Sequence, residues 1–318
     1  MKKISQIVAY YNEEKYILES IDSLLNQTYK NVEVIAISDG STDKGPSILS
    51  NIDDDRLILI NNSENHGQGY CRNQGMDIAS GEYIGFFDGD DISDLRRLEL
   101  LSNYLDEHED VFCVSCDYEY IDEYGNIMDK AHPSPIIDDN MIKAMFLFGC
   151  PVGCSCALFR RELVDKYNLR ELVGCKTAED YHFWLQCLQF GKFANVIDKL
   201  FYYRQHSSHS KIAEKSNLKQ HEKWMTEVFQ FAWTTRGFDF KEAEMRFLYR
   251  YLYKCSLLWW PHNIIKIMMF KNKVARQLRS LAIEEKKEIM DIIDNRIYIL
   301  IPYLYPIRAF RRHKDMKS

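Results

Sequence analysis

The segment Tyr83 to Asp91, YIGFFDGDD, runs strand-forming residues straight into three carboxylates, Asp88, Asp90 and Asp91. Unpaired carboxylates at that spacing repel, so either they are solvated in a turn or a cation holds them. Three chemistries use D-x-D after a buried strand. An EF-hand calcium loop starting at Asp88 needs an oxygen ligand at its fifth place and Gly at its sixth. Ile92 and Ser93 stand there, which excludes it. An aspartyl phosphotransferase uses the first Asp as nucleophile. Those enzymes generally carry the motif after their first strand with Thr at the fifth place, whereas here it follows the fourth strand and the fifth place is Ile92. The third chemistry is a divalent cation bridging a nucleotide's pyrophosphate, where one or two carboxylates suffice because phosphates and water complete the shell.

The elements that position these carboxylates are legible upstream. ISQIVAY, VEVIAIS, RLILI and YIGFF read as four strands, each rich in apolar or β-branched residues. Between them, Ile17, Ile21, Leu24 and Leu25 recur at helical spacing after Asn12, which is expected to cap that helix. Ser41 in DGSTD is expected to cap a second helix, and Gln68 to Ser80 forms a third, stopped by Gly81. Four β-α repeats imply an α/β fold with a mainly parallel sheet and helices on both faces. Ligands in such sheets bind beyond the carboxyl ends of the strands, and three of those ends carry polar text: YYN, SDGSTD and DGDD. From Phe112 onward the pattern turns to strands and turns, with a hairpin at EYGN, a helix near 137 to 148, a strand near Ser155 to Phe159, a helix through AEDYHFWLQCLQF and a strand through VIDKLFYYR. After Lys211 the text is helical and basic.

Composition narrows the class. The 318 residues are 46% hydrophobic and 28% charged, as in an ordinary globular protein. No stretch has the roughly 18 to 20 uninterrupted apolar residues of a spanning helix. The start MKKISQIVAYYNEE reads as a first strand, not a signal peptide. Nine cysteines, an odd number without an export signal, read as free thiols in a reducing compartment. The cluster Cys113, Cys116, Cys150, Cys154 and Cys156 is too irregularly spaced, in strand-like text, to read as a zinc site. The net charge of -6 hides an asymmetry: residues 213–318 carry 21 Lys and Arg against 12 Asp and Glu. Such a split points to an anionic partner for the basic segment or to charge matching between domains.

Six stretches in order resemble family 2 glycosyltransferases of the GT-A fold, over roughly residues 4 to 210: YYNEEKYILESIDSLLNQTY, ISDGSTD, NHGQGYCRNQG, GEYIGFFDGDD, AEDYHFW and YYRQHSSHS. The resemblance implies a Rossmann-like catalytic domain over 1–212, with a nucleotide-binding half (1–91) and an acceptor half (92–212), and a helical basic extension over 213–318. It implies inverting transfer of a hexose-type sugar from a nucleotide-diphosphate sugar to a saccharide or lipid-linked saccharide hydroxyl, with Mn²⁺ or Mg²⁺ as cofactor. Asp39 falls where the family binds uracil, the reason to expect a UDP-sugar; by its chemistry a carboxylate accepts the N3–H of uracil or thymine or the N1–H of guanine, and disfavours cytosine and adenine. Tyr11 is expected to stack on the base and Arg72 to donate to a base carbonyl or phosphate. Asp88 and Asp90 match the metal motif, with Asp90 the direct ligand and Asp88 reaching ribose or a metal-bound water, while Asp91 caps the following segment. His206 matches the late histidine that completes such sites, although His209 stands nearby. Asp180 matches the catalytic base, which takes the acceptor's proton during inversion. Glu179 and Gln186 are assigned to the acceptor side. The chain departs from the family at Ala9, Ser38 and Gln186, where relatives place Pro, Asp and Arg.

Two rival readings are a nucleotidyltransferase, whose Gly-rich phosphate loop AYYNEEKY lacks, and a degenerate binder of sugar nucleotides, against which the intact Asp39, Asp88, Asp90 and Asp180 argue. Nucleic acid is not expected as a partner. The stretches 257–279 and 298–318 mix Trp or Tyr with aliphatics and bases, the composition of a segment docked on an anionic membrane surface. The alternative is that these aromatics pack back on the protein. A cytoplasmic protein, peripheral on the inner face of the cell membrane, is the resulting expectation.

Overall fold

The structure is a computed structural model that describes residues 1–175, 178–206, 218–249, 261–278 and 283–300. By contact it divides into two units, Met1–Ile142 with Cys150–Trp224, and Lys143–Gly149 with Met225–Ser318. The boundary expected after residue 212 lies outside the described residues, and the short middle segment of the second unit has no sequence signal.

The first unit is built on one eight-stranded sheet of order β3-β2-β1-β4-β7-β6-β8-β5. Its strands are β1 (Ile4–Tyr10), β2 (Val32–Ser38), β3 (Leu57–Asn61), β4 (Tyr83–Asp88), β5 (Ile92–Ser93), β6 (Val111–Ile121), β7 (Ala157–Arg160) and β8 (Lys192–Arg204). The half from β3 to β4 is parallel. Beyond it β7 runs antiparallel to both β4 and β6, β8 returns parallel to β6, and β5 pairs antiparallel with β8. Every residue of β1 and β2 is buried, as expected for strands covered on both faces.

On one face lie α1 (Ile17–Leu25) and α4 (Arg97–Glu107); α2 (Gly45–Leu49) is a single short turn between β2 and β3. Ile17, Ile21, Leu24 and Leu25 of α1 are all buried in the core with Val8, Val34, Phe87 and Leu98. Each such side chain contributes about 1.5–3 kcal/mol by leaving water. On the other face α3 (Gln68–Ile78) lies against β1 and β2. A Cβ on Gly75 would come within 2.4 Å of Ile7, so only glycine lets α3 sit that close. Deeper on this face Phe86 and Phe159 pack against Phe183 and Trp184 of α7 (Glu179–Cys187).

The expected hairpin at EYGN is present. The Gly125 N–H donates to the Asp122 carbonyl, Gly125 has φ of 88°, and Ile121 bridges Ile127. Short helices α5 (Asp139–Met145) and α6 (Arg161–Tyr167) complete the connections. No disulfide joins the described cysteines.

The second unit holds most of α8 (Leu218–Thr235), with α9 (Glu242–Leu248), α10 (Pro261–Gln277) and α11 (Ile283–Leu300). Its core is the Trp233 ring, met by Phe148, Phe238, Phe240 and Phe270, with its indole N–H donating to the Leu147 carbonyl at 3.0 Å. Phe270, Val274 and Leu278, spaced at i, i+4 and i+8, are buried. That stripe is therefore packed within the unit and is withdrawn from any membrane surface. Residues 257–260, 279 and 301–318 lie outside the described residues. No described helix is long and apolar enough to cross a membrane.

Candidate active site

The carboxyl ends of β2, β1 and β4 lie side by side, with Tyr10 opposite Ser38 and Ala9 opposite Asp88, so the loops that follow converge. The first of these loops departs from expectation. Asn12 caps nothing; it adopts φ of 56°, unusual for a non-glycine residue. Its backbone N–H donates to Ser41 Oγ at 3.0 Å, and its Oδ1 accepts the Thr42 N–H at 2.8 Å. Ser41 likewise caps no helix, since α2 starts at Gly45 without a side-chain cap. Glu14 extends the clamp, donating its N–H to Asp43 and accepting from the Lys44 N–H. Short polar side chains here tie two loops together.

The turned loop brings Glu13 to the D-x-D motif. Ligand atoms of Glu13, Asp90 and His206 all lie within 4.8 Å of one another, and this is the cation-type cluster found among the described residues. His206 Nε2 is 2.8 Å from Asp90 Oδ2, and its ring lies 4.9 Å from that of Tyr16. The hydrogen bond to Asp90 raises the His206 pKa, with burial opposing it. Burial, then the charge of Asp90, pushes the Glu13 carboxyl up to about 7. Glu13 is the residue that sequence reasoning missed; its only signal is its place between the first strand and first helix.

Arg204 holds the motif's backbone. Its Nε donates to the Asp90 carbonyl at 2.7 Å and its backbone N–H to Asp91 Oδ1 at 2.8 Å. Asp91 is thus a tie to the end of β8 and not the cap expected for the following segment. Its other oxygen has no hydrogen-bond partner, and burial with the Asp90 and Asp88 charges holds its pKa well above the usual range. Asp88 is held by neighbouring side chains. It is not in the Glu13 cluster: Oδ1 accepts from Gln68 Nε2 at 2.5 Å and Arg72 Nη2 at 2.9 Å, and Oδ2 accepts from Ser155 at 2.9 Å.

Arg72 is 2% exposed and donates to Asp88 and Glu171. Asp39 accepts the N–H groups of His66 and Gly67 at 2.8 and 2.9 Å, one on each oxygen, which shapes the turn into α3. Each oxygen keeps a second lone pair for another donor. Tyr11 is 47% exposed at the end of β1, its ring open to stacking.

On the acceptor side, Glu179 and Asp180 form the first turn of α7. Asp180 Oδ1 accepts the Tyr181 N–H at 2.7 Å. Burial raises the Asp180 pKa; Arg72 opposes this and the charge of Asp88 adds to it, so Asp180 lies within electrostatic reach of the donor-side residues. Glu179 is pushed up to about 7, by burial first and then by the charge of Asp180. Gln186 turns its amide to the Arg170 carbonyl at 2.8 Å and to His182. It braces the segment before α7.

The glycosyl transferase family 2 profile matches residues 5–167. An uncharacterized glycosyltransferase of Haemophilus influenzae is 33% identical over 228 residues, 69% of each chain. The Escherichia coli protein WfaP, a UDP-Glc:alpha-D-GlcNAc-diphosphoundecaprenol beta-1,3-glucosyltransferase, is 33% identical over 210 residues, 65% of this chain and 79% of that one. In fold, S. aureus TarS 1-349 in complex with UDP-GlcNAc matches with a TM-score of 0.65 at 19% identity, covering 95% of this chain and 93% of that one. The Pyrobaculum calidifontis mannosyltransferase PcManGT, in complex with GDP-Man and Mn2+, matches with a TM-score of 0.55 at 15% identity, covering 96% and 88%. With the profile spanning more than half of its length, the chain belongs to glycosyl transferase family 2.

Proposed function

We propose that this enzyme is an inverting, metal-dependent hexosyltransferase using a UDP-sugar and a hydroxyl of a saccharide or lipid-linked saccharide. The observation that carries the reading is the convergence of Glu13, Asp90 and His206 next to Asp88, with Asp180 in electrostatic reach. The names of relatives support its donor: WfaP uses UDP-Glc, and TarS was captured with UDP-GlcNAc.

Two carboxylates and an imidazole suit Mn²⁺, and less closely Mg²⁺, which prefers oxygen. The crowding of Asp88, Asp90 and Asp91, with an Asp91 oxygen lacking any partner, fits a site completed by a cation. Glu13, Asp90 and His206 would hold it, and its charge would neutralise the leaving diphosphate.

The protein's own residues do the remaining work. Asp39 accepts the uracil N3–H on a free lone pair while Tyr11 stacks on the ring. Asp88, fixed by Arg72, Gln68 and Ser155, faces the ribose. Asp180 takes the proton of the acceptor hydroxyl as that oxygen bonds to the anomeric carbon. The bond from this carbon to the diphosphate breaks on the opposite face, and its electron pair leaves with the nucleotide. A buried carboxylate with a raised pKa is a stronger base than a solvated one, as the step requires. The bases of the stretch 298–318 would bring the enzyme to an anionic membrane carrying the acceptor.

The test is a screen of UDP-, GDP- and dTDP-sugars with Mn²⁺, reading nucleotide diphosphate release, repeated in EDTA. Release from a UDP-sugar that EDTA abolishes is expected; full activity in EDTA would refute the metal role.

A further inference from the structure

Glu171 is 3% exposed, and no step of the proposed reaction uses it. Its Oε1 accepts from Arg72 Nη1 at 3.2 Å, while Arg72 Nη2 donates to Asp88 Oδ1 at 2.9 Å. A guanidinium is a rigid plane, so holding one arm aims the other. Beneath it, the Phe86 ring centre lies 5.2 Å from the guanidinium carbon.

The segment bearing Glu171 is itself pinned to α3. Asn73 donates to the Glu171 carbonyl and accepts the Glu171 N–H, both at 2.9 Å. Arg170 pairs with Asp77 at 2.8 Å. A Cβ on Gly69 would stand 2.8 Å from the Leu172 carbonyl oxygen, so glycine is what permits this approach. Stability alone does not account for a buried carboxyl–guanidinium pair here, because well-packed apolar residues often serve a buried position as well or better.

We infer that Glu171 is a positioning residue of the donor site: it orients Arg72, and through Arg72 it fixes the carboxylate of Asp88. The inference rests on the donor-site reading above. Burial pushes the Glu171 carboxyl up to about 8. Its oxygen accepts from Arg72 whether or not the group is ionised, so an amide oxygen should replace it.

Calorimetry of UDP with Mn²⁺ on the full chain tests this, alongside melting temperatures. E171M removes the acceptor at similar size and is expected to weaken UDP binding about tenfold, the size of a lost charge-assisted hydrogen bond. E171Q is expected to stay within about threefold of wild type, rescued by its amide oxygen. A merely structural role would lower the melting temperature of E171M and leave the UDP dissociation constant of the folded protein unchanged. That result, or an E171Q as impaired as E171M, overturns the inference. If E171M does not fold, N73A, which releases the Glu171 backbone, is read instead; unchanged UDP binding there overturns it equally. Wild type that binds no UDP sinks the donor-site reading itself, whereas wild-type binding with an unaffected E171M sinks only this inference.

Discussion

Replacing Glu13 by Gln keeps the side chain's size and removes its charge. With ligand atoms of Glu13 and Asp90 within 4.8 Å, two ionised carboxylates repel by roughly 3.5 kcal/mol at an effective dielectric of 20. The rise of the Glu13 pKa from 4.5 to about 7 corresponds to about 3 kcal/mol by linkage. Both figures are upper bounds, because Glu13 is half-buried and water screens it; about 1 kcal/mol is a fair expectation. The sign follows from the direction of the shift. A carboxyl whose folded-state pKa exceeds its unfolded value binds its proton more tightly when folded. Its stabilisation is complete below the unfolded value of 4.5 and is lost as pH rises through about 7. The glutamine variant has no such loss. In EDTA, E13Q should therefore melt above wild type by a margin that grows from about pH 5 to about pH 8, reaching about 2–4 °C. On adding Mn²⁺ the order of benefit should reverse, since wild type gains stability by binding the ion and E13Q gains less. Thermal melts across pH, with EDTA and with Mn²⁺, read both effects. An E13Q that melts at or below wild type at the upper pH in EDTA, with the same Mn²⁺ increment, would refute the reasoning.

Asp180→Asn should keep UDP binding and lose transfer by roughly 10²–10⁴-fold, because shape is preserved and proton abstraction is not; wild-type transfer in this variant would mean that another group is the base. Asp39→Ala should weaken UDP binding more than it slows the chemical step, since it loses the uracil contact and also releases the His66 and Gly67 N–H groups. An unchanged UDP dissociation constant would leave Asp39 as a turn residue only. Flotation with anionic vesicles at low salt should recover the full chain and recover less of a chain lacking residues 298 to 318. A protein that ignores such vesicles in both forms has no membrane surface.

Local pattern was enough for the scaffold. The aliphatics of β1, β2 and α1 repeat at the periods of strand and helix, and those periods alone say which residues face a core. Alternating strands and helices also placed SDGSTD and DGDD at the carboxyl end of a parallel sheet, where a ligand is expected. The caps at Asn12 and Ser41 were misread because the same short polar side chains serve helix starts and loop ties equally well, and only the proximity of two loops chooses between them. His206 reaches Asp90 across 116 residues because β8 returns parallel to β6 and Arg204 at its end grips the D-x-D turn. Arg72 finds Glu171 across 99 residues because glycine lets α3 approach that segment closely. Sequence determined which groups carry charge and which element ends bear them. Tertiary structure decided which charges meet, because strand order and close backbone approach join distant segments in ways that no local period encodes.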